Sequence, residues 1–179
     1  MNWWLSLQAP HLVEGIHYSI VSYGGSLLNH LTGEVDEDLQ TDLIRLRRLN
    51  RYVGVMIDSD KEKKRARLSQ AKQRLRTELT DEKSFEWLTA GYSIENYLPV
   101  GALAAGCKEV HPRSARPPNE PKQYQKPFGR LSKPKKAAVA RKVVELAEET
   151  EVPDVLDLRR KVREPVSYTH LRAHETATY

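Results

Sequence analysis

Apolar residues along this chain recur with two different spacings, one typical of buried strands and one typical of helices. Short apolar runs bounded by charged or glycine residues indicate strands, and apolar residues repeated every three or four positions indicate helices. The pattern predicts strands within 17–23, 52–60 and 85–89. It predicts helices around Trp3 to Leu7, over 26–31, 64–80, 93–106 and 136–150, and from Asp154 onward.

Strands and helices alternate in this predicted order, and such an alternation is typical of an α/β protein. Parallel strands need a crossover connection, which is usually a helix, so the expected fold is a mostly parallel central sheet flanked by helices. Residues 111–135 interrupt the order because they are rich in proline, lysine and arginine. We expect this segment to be a loop excursion from the domain.

Two aspartates directly follow the central predicted strand. The apolar run from Val53 to Ile57 ends at Asp58, and Asp60 lies one residue further on. Residues just past the carboxyl end of a parallel strand lie in the crevice where open α/β sheets bind their ligands. Carboxylate oxygens suit a hard cation such as Mg²⁺, which proteins commonly hold with one or two carboxylates. The same residues would also serve as helix caps, so their spacing alone leaves both interpretations open.

The composition is that of one domain with a charged surface. The chain has 179 residues, of which 39% are apolar and 30% charged, and its formal net charge is +5. A positive excess favours an anionic partner, nucleic acid first. The single cysteine, Cys107, excludes an internal disulfide framework and a zinc site built on cysteines. The sequence shows no apolar run of the ~20 residues that cross a bilayer and no signal-peptide pattern, so we expect a cytoplasmic protein without a membrane partner.

Several stretches of the sequence, in this order, resemble one protein family. They are NWWLSLQAP (2–10), IHYSIVSYGG (16–25), LRRLNRYVGVMIDSD (46–60), WLTAGYSIENYLP (87–99) and VLDLRRKV (155–162). They are similar to the TOPRIM nuclease domain of ATP-dependent endonucleases of the OLD family (overcoming lysogenisation defect). The resemblance covers nearly all of 1–164. It implies a TOPRIM-like Rossmannoid fold with about four strands, the first of which would precede this chain.

The resemblance assigns roles to particular side chains. Asp58 and Asp60 match the family's DxD pair, and Glu95 in the IENYLP stretch matches a further acidic position, so these residues are the expected metal ligands. Lys136 resembles a basic position that faces the scissile phosphate, although Lys135 competes for that match. We therefore expect Asp58, Asp60, Glu95 and Lys136 to form the catalytic site. The family's first site element, EGxSD, lies just before the NWWL-like helix, so we expect its glutamate upstream of this chain.

The resemblance also implies an activity and its cofactors. The implied reaction is hydrolysis of DNA phosphodiester bonds with Mg²⁺ or Mn²⁺, and an ABC-type AAA ATPase domain precedes the nuclease domain in such proteins. No GxxxxGK[ST] phosphate loop occurs in this sequence, so ATP would act only through a domain outside it. We expect the fragment 1–164 to be inactive by itself and to form a homo-oligomer through that ATPase domain. Basic residues of the predicted 64–80 helix and its start would contact DNA phosphates: Lys63, Lys64, Arg65, Arg67, Lys72, Arg74 and Arg76.

Two other functions stay open at this point. The DxD pair is shared with primases and topoisomerases, so other nucleotidyl chemistry on a TOPRIM domain is one of them. The family more often has Arg-Glu before Ile-Glu-Asn-Tyr, whereas this sequence has Tyr92 and Ser93. The loss of that acidic group is compatible with a catalytically degenerate module that binds nucleic acid or supports assembly.

The C-terminal segment VSYTHLRAHET, 166–176, resembles a translated adapter of sequencing libraries. His170 and His174 are four residues apart, a spacing that also occurs in metal-binding helices. The resemblance implies instead that 165–179 is a non-native tail. We therefore leave these histidines out of the expected site.

Overall fold

The computed structural model describes residues 1–21, 52–79, 84–113, 122–128 and 135–175. Helices and strands follow one another in the order helix, strand, helix, strand and three further helices, with a short 3₁₀ turn after the second strand. The helices are α1 (Asn2–Gln8), α2 (Gln70–Glu78), α3 (Val100–Val110), α4 (Lys136–Leu146) and α5 (Leu158–Glu175). The strands are β1 (Val53–Ile57) and β2 (Ser84–Leu88), and the 3₁₀ turn is Ile94–Tyr97.

β1 and β2 form a parallel sheet. Val53 is opposite Ser84, and the register continues to Ile57 opposite Leu88. A parallel pair joined through a helix, here α2, makes the described part a mixed α/β structure, which is compatible with the predicted α/β class. These are the strands in the described part of the chain, so the arrangement with about four strands stays a prediction.

The predicted strand over 17–23 is wrong for residues 17–21, and its last two residues lie outside the described part. The chain turns at this point instead, because Gly15 adopts a positive φ of 85° and His17 accepts a hydrogen bond from the Val13 amide at 2.9 Å. An isolated bridge between Glu14 and Tyr18 closes the turn. The alternation of apolar residues here therefore belongs to a turn rather than to a strand.

Helix boundaries differ from the prediction where charge or proline intervenes. The segment predicted as a helix over 64–80 becomes helical only at Gln70, after Ser69 accepts a capping hydrogen bond from the Lys72 amide. The charged residues before Ser69 have no continuous apolar face to bury, so packing against the core does not stabilise a helix there. The predicted 93–106 helix is divided by Pro99, which forces the preceding Leu98 into an extended conformation (φ −78°, ψ 144°).

The main core joins the two ends of the chain to the sheet. It contains Trp4 of α1, Trp87 of β2, Tyr97 of the 3₁₀ turn, and Leu158 and Val162 of α5, all buried. The Trp87 ring centroid lies 5.5 Å from that of Tyr97 and 6.0 Å from that of Trp4. Aromatic side chains of this size bury the largest apolar areas, so this cluster fixes β2 and the turn that follows it.

A second core lies between α3 and α4. Leu103 and Cys107 of α3 pack against Val139 and Val143 of α4. Burial raises the pKa of the Cys107 thiol, as expected for a cysteine that serves as a small apolar residue. This packing matters for function because α4 begins at Lys136, and its position is set by the contact with α3.

Three further predictions concern the 111–135 excursion, the C-terminal tail and membrane spans. In the described parts of the 111–135 excursion, 111–113 and 122–128, the chain forms turns and no helix or strand. α5 continues across the predicted boundary of the non-native tail, through Pro165 to Glu175. Within the described residues, no helix combines the length and apolar character that a membrane span requires.

Candidate functional site

Asp58 lies where β1 ends and faces the turn that follows β2. Its carboxylate Oδ1 accepts a hydrogen bond from the Ile94 amide at 2.8 Å, at the start of the 3₁₀ turn. Because β1 and β2 are parallel, their carboxyl ends meet at the same edge of the sheet. This edge is where open α/β sheets place their ligands.

Buried hydrogen bonds hold the residues after β1 against those after β2. The Ser59 amide donates to Thr89 Oγ1 at 2.8 Å, and the Ser59 hydroxyl donates to the Gly91 carbonyl at 2.5 Å. The Asp60 amide donates to the Tyr92 carbonyl at 2.9 Å. Asp60 has a φ of 51°, a left-handed conformation that aspartate tolerates better than most residues. The loop that carries both aspartates is therefore fixed by its neighbour strand.

Replacing Gly91 by alanine is expected to destabilise this edge of the sheet. A Cβ at Gly91 would lie 2.8 Å from Asn96 Cβ and 3.1 Å from Leu156 Cδ1, and Asn96 Cβ has no freedom to move without its backbone. We expect a loss of about 1–3 kcal/mol in the free energy of unfolding, measured in urea. Gly101→Ala is the matched control, since a Cβ at Gly101 meets nothing within 4 Å in a helix. A Gly91→Ala protein as stable as Gly101→Ala would show that the turn is not closely packed.

Glu95 and Lys136 complete the group at this edge. Glu95 is buried in the 3₁₀ turn, and its Oε1 lies 2.8 Å from Lys136 Nζ. Its second oxygen, Oε2, is buried and has no hydrogen-bond partner among the described residues. Of the two lysines between which the sequence left the choice open, Lys136 is the one whose ammonium contacts Glu95.

The charges at this edge influence one another. Burial is the largest cause that raises the pKa of Asp58, and the negative charges of Glu95 and Asp60 raise it further, against the Ile94 hydrogen bond and the Lys136 charge. Burial works to lower the pKa of Lys136. The hydrogen bond to Glu95 and the charges of Glu95, Asp58 and Asp60 outweigh burial, so the pKa of Lys136 is raised overall. The structure thus brings all the predicted site residues into one electrostatic group.

Asp58→Asn is expected to stabilise the fold at neutral pH. Because the folded-state pKa of Asp58 is raised, its stabilising contribution is present below the unfolded value of 3.8 and is lost as the pH rises through the folded-state pKa. The asparagine removes the buried charge and keeps an oxygen for the Ile94 amide. Urea unfolding at pH 7 should show a gain of about 0.5–2 kcal/mol, which disappears near pH 3.

The control for this stability measurement is Asp154→Asn. Asp154 has an 81% exposed side chain, and its nearest cation, Arg159, is 4.0 Å away, so its replacement should change stability little. A loss of stability in Asp58→Asn at pH 7 would contradict the conclusion that the ionised carboxylate is unfavourable in the folded protein.

Lys72 was predicted to lie on the outer, DNA-contacting side of a helix, and this prediction is wrong. Its side chain is 10% exposed and points back to the aspartate loop. The ammonium donates to the Asp58 carbonyl at 2.6 Å and contacts the carboxylate of Asp60. The cause is its place in the first turn of α2, just after the cap at Ser69. Lys72 therefore belongs to the site.

The segment 122–128 is a further part of the site that sequence did not predict. The Tyr92 amide donates to the Gln123 carbonyl at 2.8 Å, and Asn96 Nδ2 donates to the Gln125 carbonyl at 3.0 Å. Backbone carbonyls that accept hydrogen bonds in this way leave no signature in the sequence. The Lys-rich segment thus supports the turn that carries Glu95.

The donors at this edge are of the kind that a hard divalent cation prefers. Asp58, Asp60 and Glu95 supply carboxylate oxygens, and Mg²⁺ is commonly held by one or two carboxylates with waters and substrate phosphates. The buried Oε2 of Glu95 has no hydrogen-bond partner among the described residues, so this oxygen could accept a further ligand. Among the described residues, no group of three or more Asp, Glu, His or Cys side chains is placed so that it could hold a metal ion, so an ion here would need water or substrate oxygens as further ligands.

Comparisons with protein-family models, with curated proteins and with solved structures gave no match to this chain.

Proposed function

We propose that this chain is the nuclease domain of a metal-dependent DNA endonuclease of the TOPRIM type. The proposal is supported above all by the meeting of Asp58, Glu95 and Lys136 at the carboxyl ends of two parallel strands. These residues are distant in sequence, and the resemblance to OLD-family nucleases had named each of them. We assign the protein to the cytoplasm, where DNA is its substrate, and to a longer chain that carries an ATPase domain and assembles through it.

In the proposed reaction, each side chain has a role that its surroundings suit. Asp58, Asp60 and Glu95 would hold Mg²⁺ or Mn²⁺, and the ions supply charge stabilisation for an attacking and a departing oxygen during in-line displacement. The Ile94 amide fixes the orientation of Asp58, and the bonds of Ser59 fix the loop. Lys136 carries its positive charge beside these carboxylates, where it would offset negative charge that develops on a phosphate.

DNA would approach from the side of the exposed segment after Asp60. Lys63, Lys64 and Arg65 are exposed there, in the turn between β1 and α2. Their charges would contact backbone phosphates, which gives sequence-independent and salt-dependent affinity. The position of this turn, directly after the aspartate pair, would bring the phosphate backbone to the carboxylates.

The test is cleavage of supercoiled plasmid with Mg²⁺ or Mn²⁺, using the chain joined to the upstream segment that the proposal assigns to it. We expect relaxed or linear product from the intact protein and from Asp154→Ala, and none from Asp58→Ala or Asp60→Ala. The proposal is contradicted if the aspartate variants cleave as fast as the intact protein.

A second candidate function is a degenerate TOPRIM-like module that binds nucleic acid without cleaving it. It is favoured by Ser93, which stands where the family more often has an acidic residue, and by the finding that no three Asp, Glu, His or Cys side chains within the described ranges form a group that could hold a metal ion. The same assay separates the two candidates. If all proteins bind the plasmid and leave it equally intact, the binding module is the correct function.

A further inference from the structure

The side chain of Lys72 is enclosed by the protein, which is uncommon for lysine. Its side chain is 10% exposed, whereas the side chain of its partner Asp60 is 57% exposed. The ammonium contacts the Asp60 carboxylate and donates to the Asp58 carbonyl at 2.6 Å, so both acceptors belong to the aspartate pair. The lysine thus approaches Asp60 from the protein side and leaves the solvent side of that carboxylate accessible.

A buried ammonium in this place acts on a neighbouring cation through two opposite effects. It holds the Asp60 loop in its left-handed conformation, which orders a ligand before any ion arrives. It also repels a divalent cation that binds to the same carboxylate and competes with it for the oxygen. Lys136 stands in the same relation to Glu95, but with a 55% exposed side chain it can move into solvent, whereas Lys72 is enclosed.

We propose that Lys72 is a built-in counter-ion of the Asp58–Asp60 pair, a positioning residue that lowers the affinity of the site for divalent cations. This inference rests on the proposed metal site. The enclosed ammonium keeps the carboxylate ordered and charge-balanced between binding events. The repulsion is the larger effect on affinity, because the hydrogen bonds of Ser59 and the Asp60 amide hold the loop even without Lys72.

The proposal predicts an effect that a merely structural lysine would not produce. Lys72→Met should lose stability, because two hydrogen bonds disappear, and should nevertheless bind Mn²⁺ about tenfold more tightly. A factor of at least that size follows from Coulomb's law for a single and a double charge about 5 Å apart, even with the screening of bulk water. Lys72→Gln removes the charge and keeps a hydrogen-bond donor. It replaces Lys72→Met in the measurement if the methionine variant does not fold. Lys72→Arg keeps the charge and should bind Mn²⁺ within about threefold of the unsubstituted chain.

The experiment is a Mn²⁺ titration of the chain joined to the same upstream segment as in the plasmid assay. Electron paramagnetic resonance measures the free ion, and circular dichroism establishes that each variant is folded. Lys161→Met is the matched control. Lys161 is 14% exposed and also bonds one carbonyl, Glu86 at 2.7 Å, and one carboxylate, Glu164 at 2.9 Å. Its replacement should cost stability in the same way and leave the affinity for Mn²⁺ unchanged.

The outcomes separate this inference from the proposed function. The inference is supported if Lys72→Met or Lys72→Gln binds Mn²⁺ more tightly than the unsubstituted chain and Lys161→Met does not. The same holds if the unsubstituted chain binds Mn²⁺ too weakly to measure. Equal or weaker binding in both neutral variants overturns it while the metal site stands. If neither the unsubstituted chain nor the neutral variants bind Mn²⁺, the inference and the metal site are both overturned.

Discussion

Replacing Lys136 by methionine is expected to slow DNA cleavage by about two to three orders of magnitude, the usual cost of removing one group that stabilises transition-state charge. The Lys136 ammonium lies 2.8 Å from Glu95 Oε1, and its charge also acts on Asp58 and Asp60. The substitution removes the positive charge that contacts the Glu95 carboxylate. Single-turnover cleavage of plasmid at saturating Mg²⁺ measures the effect on the chemical step and excludes weaker metal binding as its cause.

Lys135→Met is the control that the chain itself offers. Lys135 precedes α4 by one residue and is exposed, and the sequence alone did not distinguish it from Lys136. Because its side chain is exposed, Lys135→Met should alter the rate of DNA cleavage less than about threefold. If Lys135→Met loses activity and Lys136→Met keeps it, the geometry of the site proposed here is incorrect.

Replacing Trp87 by alanine is expected to cost about 3–5 kcal/mol in the free energy of unfolding, the range for large aromatic residues deleted from a core. Trp87 is fully buried in β2 and packs against Trp4 and Tyr97. The same cluster includes residues of α1 and α5, so the cavity would loosen both ends of the chain at once. A loss of this size approaches the whole stability of a small domain.

Urea unfolding followed by near-ultraviolet circular dichroism measures this loss. Val144→Ala on α4 is the control, because Val144 is 45% exposed and its truncation should change stability by no more than about 0.5 kcal/mol. A Trp87→Ala protein that loses less than about 1 kcal/mol would mean that the aromatic cluster is not the principal core.

The sequence predicted the parts of the site that depend on local pattern. A short apolar run followed by charged residues indicates a buried strand and the residue at its end. β1 and the position of Asp58 could therefore be predicted from the sequence. Glu95 and Lys136 were named through the resemblance alone. Their meeting depends on the packing of α3 on α4, which periodicity does not encode.

Lys72 shows why the remainder of the site could not be predicted. A lysine among other basic residues on a helical pattern is most often exposed, and the composition of 61–76 gives no contrary sign. Its burial follows from the late start of α2 at the Ser69 cap, which turns the first helical residues towards Asp60. Likewise, the 17–21 segment alternates as a strand would, but the local bonds around Gly15 form a turn instead.

The proposed function requires that the carboxylates of Asp58, Asp60 and Glu95 bind divalent metal at the edge of the sheet. The most direct measurement is an anomalous difference map from crystals of the protein soaked in MnCl₂. We expect a manganese peak bonded to carboxylate oxygens of Asp58, Asp60 and Glu95, and its loss in crystals of Asp58→Asn. Manganese bound elsewhere, with these carboxylates turned away from it, would contradict the account.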